Sequence, residues 1–159
     1  MKRINLLSDS KPNFIGCWFL NTNIICDDII NFFEKNKNLH HQGTTGTGVN
    51  IKHKKTTDIT IKPNNLSDIN YKVFKDYFEE LQKCYLDYKD QWPFLKNFLN
   101  SVNIGSFNVQ KYLPGDHFSN LHSERTQLST LHRVFAFMTY LNDVDDGGTT
   151  DFEYYKLKI

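Results

Sequence analysis

Apolar residues recur along this chain at two periods, and each period marks an element. Ile25, Ile29 and Phe33, flanked by Ile30 and Phe32, fall at helical spacing. Asn23 or Asp27 suits the start of that helix, and Asn36-Lys37-Asn38 suits its end. A longer stripe of Ile69, Val73, Tyr77, Leu81 and Tyr88 is widened by Phe74, Phe78 and Tyr85. It predicts a long helix capped by Ser67 and ended at Trp92-Pro93. Such an aromatic stripe reads as core packing against a sheet, not as a cofactor box. Asp58 to Lys62 alternates and stops at Pro63, the pattern of a half-buried strand.

The remaining apolar runs suit strands. Residues 14–20 read as a short buried strand, and 104–112 as another, closed by a turn at Pro114-Gly115. Val134 to Leu141 is almost uninterruptedly apolar, which predicts a strand covered on both faces. Asn142 to Gly148 is turn-rich, and Thr149 to Leu157 begins one more strand. The Gly- and Thr-rich stretch from His40 to Gly48 reads as a flexible loop with His40 and His41 exposed. Neighbouring side chains on an extended chain point opposite ways, which disfavours joint chelation by that pair. Helices with a few strands, then a strand-rich second half, predict one α+β domain over 1–159. Residues 1–100 would be its support and 101–159 a β-sandwich or jelly-roll core.

Composition narrows the function. The 159 residues suffice for a sizeable core, and 39% hydrophobic content excludes general disorder. A net charge of +1 gives no global field toward nucleic acid or an anionic membrane. The one basic cluster, Lys52-His53-Lys54-Lys55, reads as a solvated loop. Cys17, Cys26 and Cys84 are odd in number and widely spaced, as free thiols of a reducing compartment are. The N-terminal stretch has no apolar core of a leader peptide, and no run approaches a membrane span. A cytoplasmic protein is the expectation.

Candidate chemistry gathers between Gln110 and Phe152. If the runs flanking His122-Ser123-Glu124 pair across a sheet, His122 and Glu124 share a face. An imidazole and a carboxylate so placed are two thirds of the facial triad that holds Fe(II) and leaves positions open. Taken alone, the pair also fits an ordinary surface contact. The third ligand should be a histidine well downstream, and the sequence reaches Ile159 without one. His132 is the one histidine after Glu124, and only an unusual local fold would bring it in.

Tyr112-Leu-Pro-Gly, His122-x-Glu124, Arg133 leading into Met138-Thr-Tyr140-Leu-Asn142, and Gly147-Gly148-x-Thr150-x-Phe152 occur in that order. Together they resemble the prolyl 4-hydroxylase branch of the Fe(II)- and 2-oxoglutarate-dependent dioxygenases, over roughly residues 104–158. The resemblance implies a double-stranded β-helix, a distorted jelly roll, braced by N-terminal helices. It implies His122 and Glu124 as Fe(II) ligands, although many relatives carry Asp where Glu124 stands. Tyr112 and Tyr140 match tyrosines of the 2-oxoglutarate pocket, Arg133 a position near the substrate entrance, and Thr150 and Phe152 barrel-lining positions. Fe(II), 2-oxoglutarate and O2 are the implied cofactors, with ascorbate as a further one. The implied reaction hydroxylates a prolyl residue in a peptide or protein, releasing succinate and CO2.

Relatives supply a distal histidine and a Lys or Arg for the far carboxylate of 2-oxoglutarate from later strands. The expectation is therefore an incomplete version of a longer domain, inactive or weakly active alone. The alternative is a truncated, non-catalytic jelly-roll module that binds a partner through its sheet face. A cupin-like Mn or Zn site would want a tighter histidine cluster. For Tyr112 and Tyr140 ordinary core packing competes with a cofactor role, and Arg133 could simply pair with Glu124, Asp143 or Asp151.

Overall fold

Helix α1 spans Ile24–Lys35 and starts where Asn23 offers its carbonyl to the amide of Asp27 at 2.9 Å. It ends at Asn36, whose amide group caps back onto the Phe32 carbonyl at 2.8 Å. Both ends lie where the local signals predict. The computed structural model describes residues 1–7, 12–20 and 23–159. Residues 8–11 fall outside the described residues, and with them part of the N-terminal stretch read above for a leader peptide. Residues 21–22 do so as well.

The described chain is α+β and divides into two compact units, each drawn from both halves of the sequence. Unit 1 holds residues 1–29, 68–103 and 141–159, and unit 2 holds 30–67 and 104–140.

In unit 1, β1 (Lys2–Ile4) pairs antiparallel with β2 (Cys17–Phe19), Arg3 opposite Trp18. Of the strand expected over 14–20, only these three residues form one. Helix α2 runs Lys72–Gln91 and buries Phe74, Tyr77 and Cys84. It starts later than the stripe suggests. Ser67 donates to the Asn64 carbonyl at 2.9 Å and closes a 3-10 turn over Pro63–Ser67, so it does not cap α2. Asp68 instead caps a second 3-10 turn, and Ile69 is left outside the helix and exposed. The stripe packs aromatic on aromatic near its C-terminal end. Trp18 meets Tyr88 edge-on at 6.3 Å, Phe14 meets Trp92 at 4.7 Å, and the Tyr88 hydroxyl donates to the Phe14 carbonyl. A short helix α3 (Phe94–Phe98) and a hairpin of β8 (Asp151–Phe152) with β9 (Leu157–Lys158) complete the unit.

In unit 2, β5 (Thr57–Ile61) is the centre of an antiparallel sheet, with β3 (His41–Gln42) on one side and β6 (Phe107–Lys111) on the other. Ile59 and Ile61 are fully buried, and Val109 pairs across from Ile59. His40 departs from the exposed-loop expectation. It is half-buried, its ring tilted against Phe33 with centres 4.2 Å apart, and it donates through Nε2 to the Phe33 carbonyl. A second ladder joins β4 (Lys54–Lys55) to β7 (His117–Phe118).

The strand expected over Val134 to Leu141 is the largest correction. This stretch carries no β-strand, and Val134, Phe135, Phe137, Met138 and Tyr140 are 37 to 56% exposed. Apolar composition favours burial but cannot supply a ladder, because strand hydrogen bonds need flanking strands in register.

Candidate functional site

The site is built outward from the β4–β7 ladder. Register sets Lys54 opposite Phe118, and the Lys54 ammonium stands 5.4 Å from the centre of the Phe118 ring. Beyond Phe118 the chain leaves the ladder. Ser119 donates its amide to the His53 carbonyl at 2.9 Å, and His53 donates Nδ1–H to the Asn120 side-chain oxygen at 2.7 Å. His122 lies flat on Phe118, ring centres 4.2 Å apart and planes 16° from parallel. Its Nδ1–H donates to the Asn120 main-chain carbonyl at 2.8 Å.

A carbonyl can only accept, so Nδ1 carries the proton, and the neutral imidazole has its lone pair on Nε2. That nitrogen faces Glu124 Oε1 at 3.6 Å. The other carboxylate oxygen, Oε2, accepts from Arg133 Nη1 at 3.0 Å, and the same Nη1 lies 3.5 Å from the Glu124 carbonyl. The His122, Glu124 and Arg133 side chains are 44, 51 and 46% exposed. In that neutral form two electron-rich atoms face each other across the gap, whereas a protonated ring would make the same contact an ion pair. An ion bonded to each at about 2.1 Å spans such a separation. Imidazole nitrogen with carboxylate oxygen suits a divalent transition metal. The two side chains supply two of the three donors of a facial triad.

The two donors do not share a face by strand alternation, as the sequence suggests. Residues 119–127 form no strand. The chain bends at Asn120 and Glu124, and the His122 ring is tied back to the carbonyl two residues before it, which leaves the two side chains facing each other. Arg133 joins them through Glu124, one of the pairings open to it from sequence. His132 sits in a turn after a 3-10 turn at Leu128–Thr130. Among the described residues no three His, Cys, Asp or Glu side chains gather into a metal-holding group.

Tyr112 and Tyr140 form a second grouping. Partial burial pushes the Tyr112 phenol above its ordinary value, with the Asp58 carboxylate and Tyr140 adding to the rise. Asp58 borders this grouping and reaches the β4–β7 ladder through Lys54. It is buried on β5, where it binds Lys54 Nζ at 2.9 Å, the Thr56 hydroxyl at 2.7 Å and the Gln110 amide at 3.0 Å. Lys54 is only 3% exposed, which overturns the solvated-loop reading at that position. The carboxylate opposite and the ring across the ladder recover the hydration that the ammonium loses. With Asp58 as its counter-ion, Lys54 supports the structure and brings no uncompensated charge to an incoming anion.

Sequence reasoning did not single out Phe118, Asn120, His53, Lys54 or Asp58 as neighbours of the site. The local signal was thin: opposite charges at Lys54 and Asp58, and an aromatic four residues before His122.

The remaining predicted positions, Thr150 and Phe152, lie in unit 1, Phe152 on β8. The described residues contain no helix long and apolar enough to cross a membrane. No family model, curated protein or solved structure matches this chain.

Proposed function

We propose that this chain carries the metal-binding pair of an Fe(II)- and 2-oxoglutarate-dependent dioxygenase of the prolyl 4-hydroxylase type. Its substrate would be a prolyl residue of a peptide or protein. One observation carries the reading: His122 Nε2 and Glu124 Oε1 face each other, while Nδ1 and Oε2 are each committed to another partner. Donors arranged this way offer one atom apiece to the same point. Under this reading the two sheets of unit 2 belong to a double-stranded β-helix.

In this assignment His122 and Glu124 hold the iron, which supplies oxidative decarboxylation of 2-oxoglutarate coupled to hydroxylation of a C–H bond. Asn120 keeps the proton on Nδ1 of His122 and so keeps Nε2 available as a donor. Phe118 fixes the plane of the imidazole. Tyr112 and Tyr140 supply hydroxyls for the cosubstrate, and a phenol held above its ordinary value remains a donor throughout the neutral range.

The test is calorimetry of the anaerobic chain with Fe(II), or with Mn(II) as a redox-silent stand-in, with and without 2-oxoglutarate. Binding that tightens with 2-oxoglutarate and vanishes in His122→Ala is the expected result. A folded chain that binds neither metal would favour the non-catalytic module instead. Succinate release with a prolyl peptide, and one added oxygen on that peptide, would establish the reaction.

A further inference from the structure

We infer that Arg133 is a positioning residue that sets the metal selectivity of the His122–Glu124 pair, by restricting Glu124 to a single donor oxygen; this rests on the metal-binding role proposed above. Arg133 Nη1 holds Oε2 at 3.0 Å and approaches the main-chain carbonyl of the same residue at 3.5 Å. One guanidinium nitrogen thus lies against both the side chain and the main chain of Glu124, and Oε1 is the oxygen left toward His122. Arg suits this task because its guanidinium keeps its charge at every working pH and so stays on Oε2.

Selectivity follows from what each cation asks of a carboxylate. Calcium gathers six to eight oxygens and commonly takes both oxygens of one carboxylate. A carboxylate whose second oxygen is engaged by Arg133 cannot meet that demand without breaking the ion pair. A transition-metal dication that accepts one imidazole nitrogen and one carboxylate oxygen can bind with the pair intact. Arg133 therefore penalises calcium more than manganese or iron. The assignment differs from the substrate-entrance role that the resemblance gives this position.

The guanidinium also repels any dication nearby, so its removal changes absolute affinities in a direction that mixes repulsion with orientation. The ratio of calcium to manganese dissociation constants separates the two, because repulsion acts alike on both ions and cancels. The experiment titrates Mn(II) and Ca(II) separately into the full chain and its Arg133→Gln, Arg133→Lys and His122→Ala variants. Mn(II) is followed by electron paramagnetic resonance, Ca(II) by calorimetry, and folding by thermal unfolding.

Wild type should favour Mn(II), and Arg133→Gln should lower the calcium-to-manganese ratio by about 3- to 5-fold, the upper scale for an exposed ion pair. Arg133→Lys, which still offers a cation to Oε2, should keep the ratio within about twofold of wild type. An unchanged ratio in Arg133→Gln, with Mn(II) binding still lost in His122→Ala, would overturn the inference and leave the metal-site reading standing. Wild type that binds no Mn(II), or His122→Ala that binds it as wild type does, would overturn both. Should Arg133→Gln fail to fold, a ratio in Arg133→Lys that departs from wild type by more than about twofold would count against the inference.

Discussion

The His122 imidazole rests on the Phe118 ring with their centres 4.2 Å apart and their planes nearly parallel. One ring is anchored in the β4–β7 ladder and the other leaves it, so the stack transmits the strand's rigidity to the proposed ligand. Phe118→Leu keeps most of the apolar volume and removes the stack, worth about 0.5–1.5 kcal/mol. Mn(II) affinity should fall by a corresponding factor of about 2 to 12. Calorimetry on Phe118→Leu and Phe118→Tyr checks this, since tyrosine retains the stack and should retain the affinity.

Lys54 and Asp58 form a buried ion pair whose carboxylate also accepts from Thr56 and Gln110. Removing one partner strands the other charge. Lys54→Met should cost about 3–5 kcal/mol of stability, while Lys54→Met with Asp58→Leu should recover much of that loss. Urea unfolding of the two single variants and the double variant gives the cycle. Equal losses in single and double variants would show that Asp58 depends on Thr56 and Gln110 more than on Lys54.

Gly43 stands where no side chain fits. A Cβ there would lie 2.0 Å from the Thr56 hydroxyl oxygen and 2.9 Å from Lys54 Cε. The Gly43 amide meanwhile donates to the Thr56 carbonyl at 3.0 Å, so backing away sacrifices a hydrogen bond. Gly43→Ala should therefore destabilise by about 1–3 kcal/mol, as overpacked sites do. Thermal unfolding of Gly43→Ala against a Gly105→Ala control, where nothing lies within 4 Å, isolates the clash.

Asp87 on α2 receives the Arg3 guanidinium at 2.7 Å and the Trp18 indole N–H at 2.6 Å, from cross-strand neighbours on β1 and β2. First the Arg3 hydrogen bond and then that of Trp18 hold its carboxyl below the usual range. A carboxyl lowered on folding stabilises above its unfolded value, and that stabilisation is lost as pH falls through the folded value. Wild type should exceed Asp87→Asn by about 1 kcal/mol near neutrality, a value kept small by solvent screening. The two should converge as pH falls below about 4. Unfolding midpoints from neutral pH down to about pH 3 check the sign.

Both long helices were legible because their signals are local. The apolar period of α1 and the Asn23 and Asn36 ends lie within a few residues of each other, and so does the Trp92 stop of α2. Strand β5 was equally plain, since Ile59 and Ile61 alternate with Thr60 and Pro63 lies just beyond. The start of α2 was missed because Ser67 found a closer acceptor in Asn64. The run from Val134 to Leu141 misled for a different reason: composition reports what a segment would gain from burial, not whether flanking strands are in place to bury it.

The sequence by itself determined the helix periods, the turn at Pro114-Gly115 and the residue types of the candidate site: the His122 imidazole, the Glu124 carboxylate and the Arg133 guanidinium. Those follow from chain-local chemistry. Only the tertiary structure decided that Lys54 is buried, because its partners Asp58 and Phe118 lie on other strands. It also decided how His122 and Glu124 meet. The sequence offered strand alternation, whereas the fold uses a hydrogen bond from His122 back to Asn120, a stack on Phe118 and an ion pair from Arg133. Each of those contacts depends on where the backbone carries its partner, and no local period encodes that.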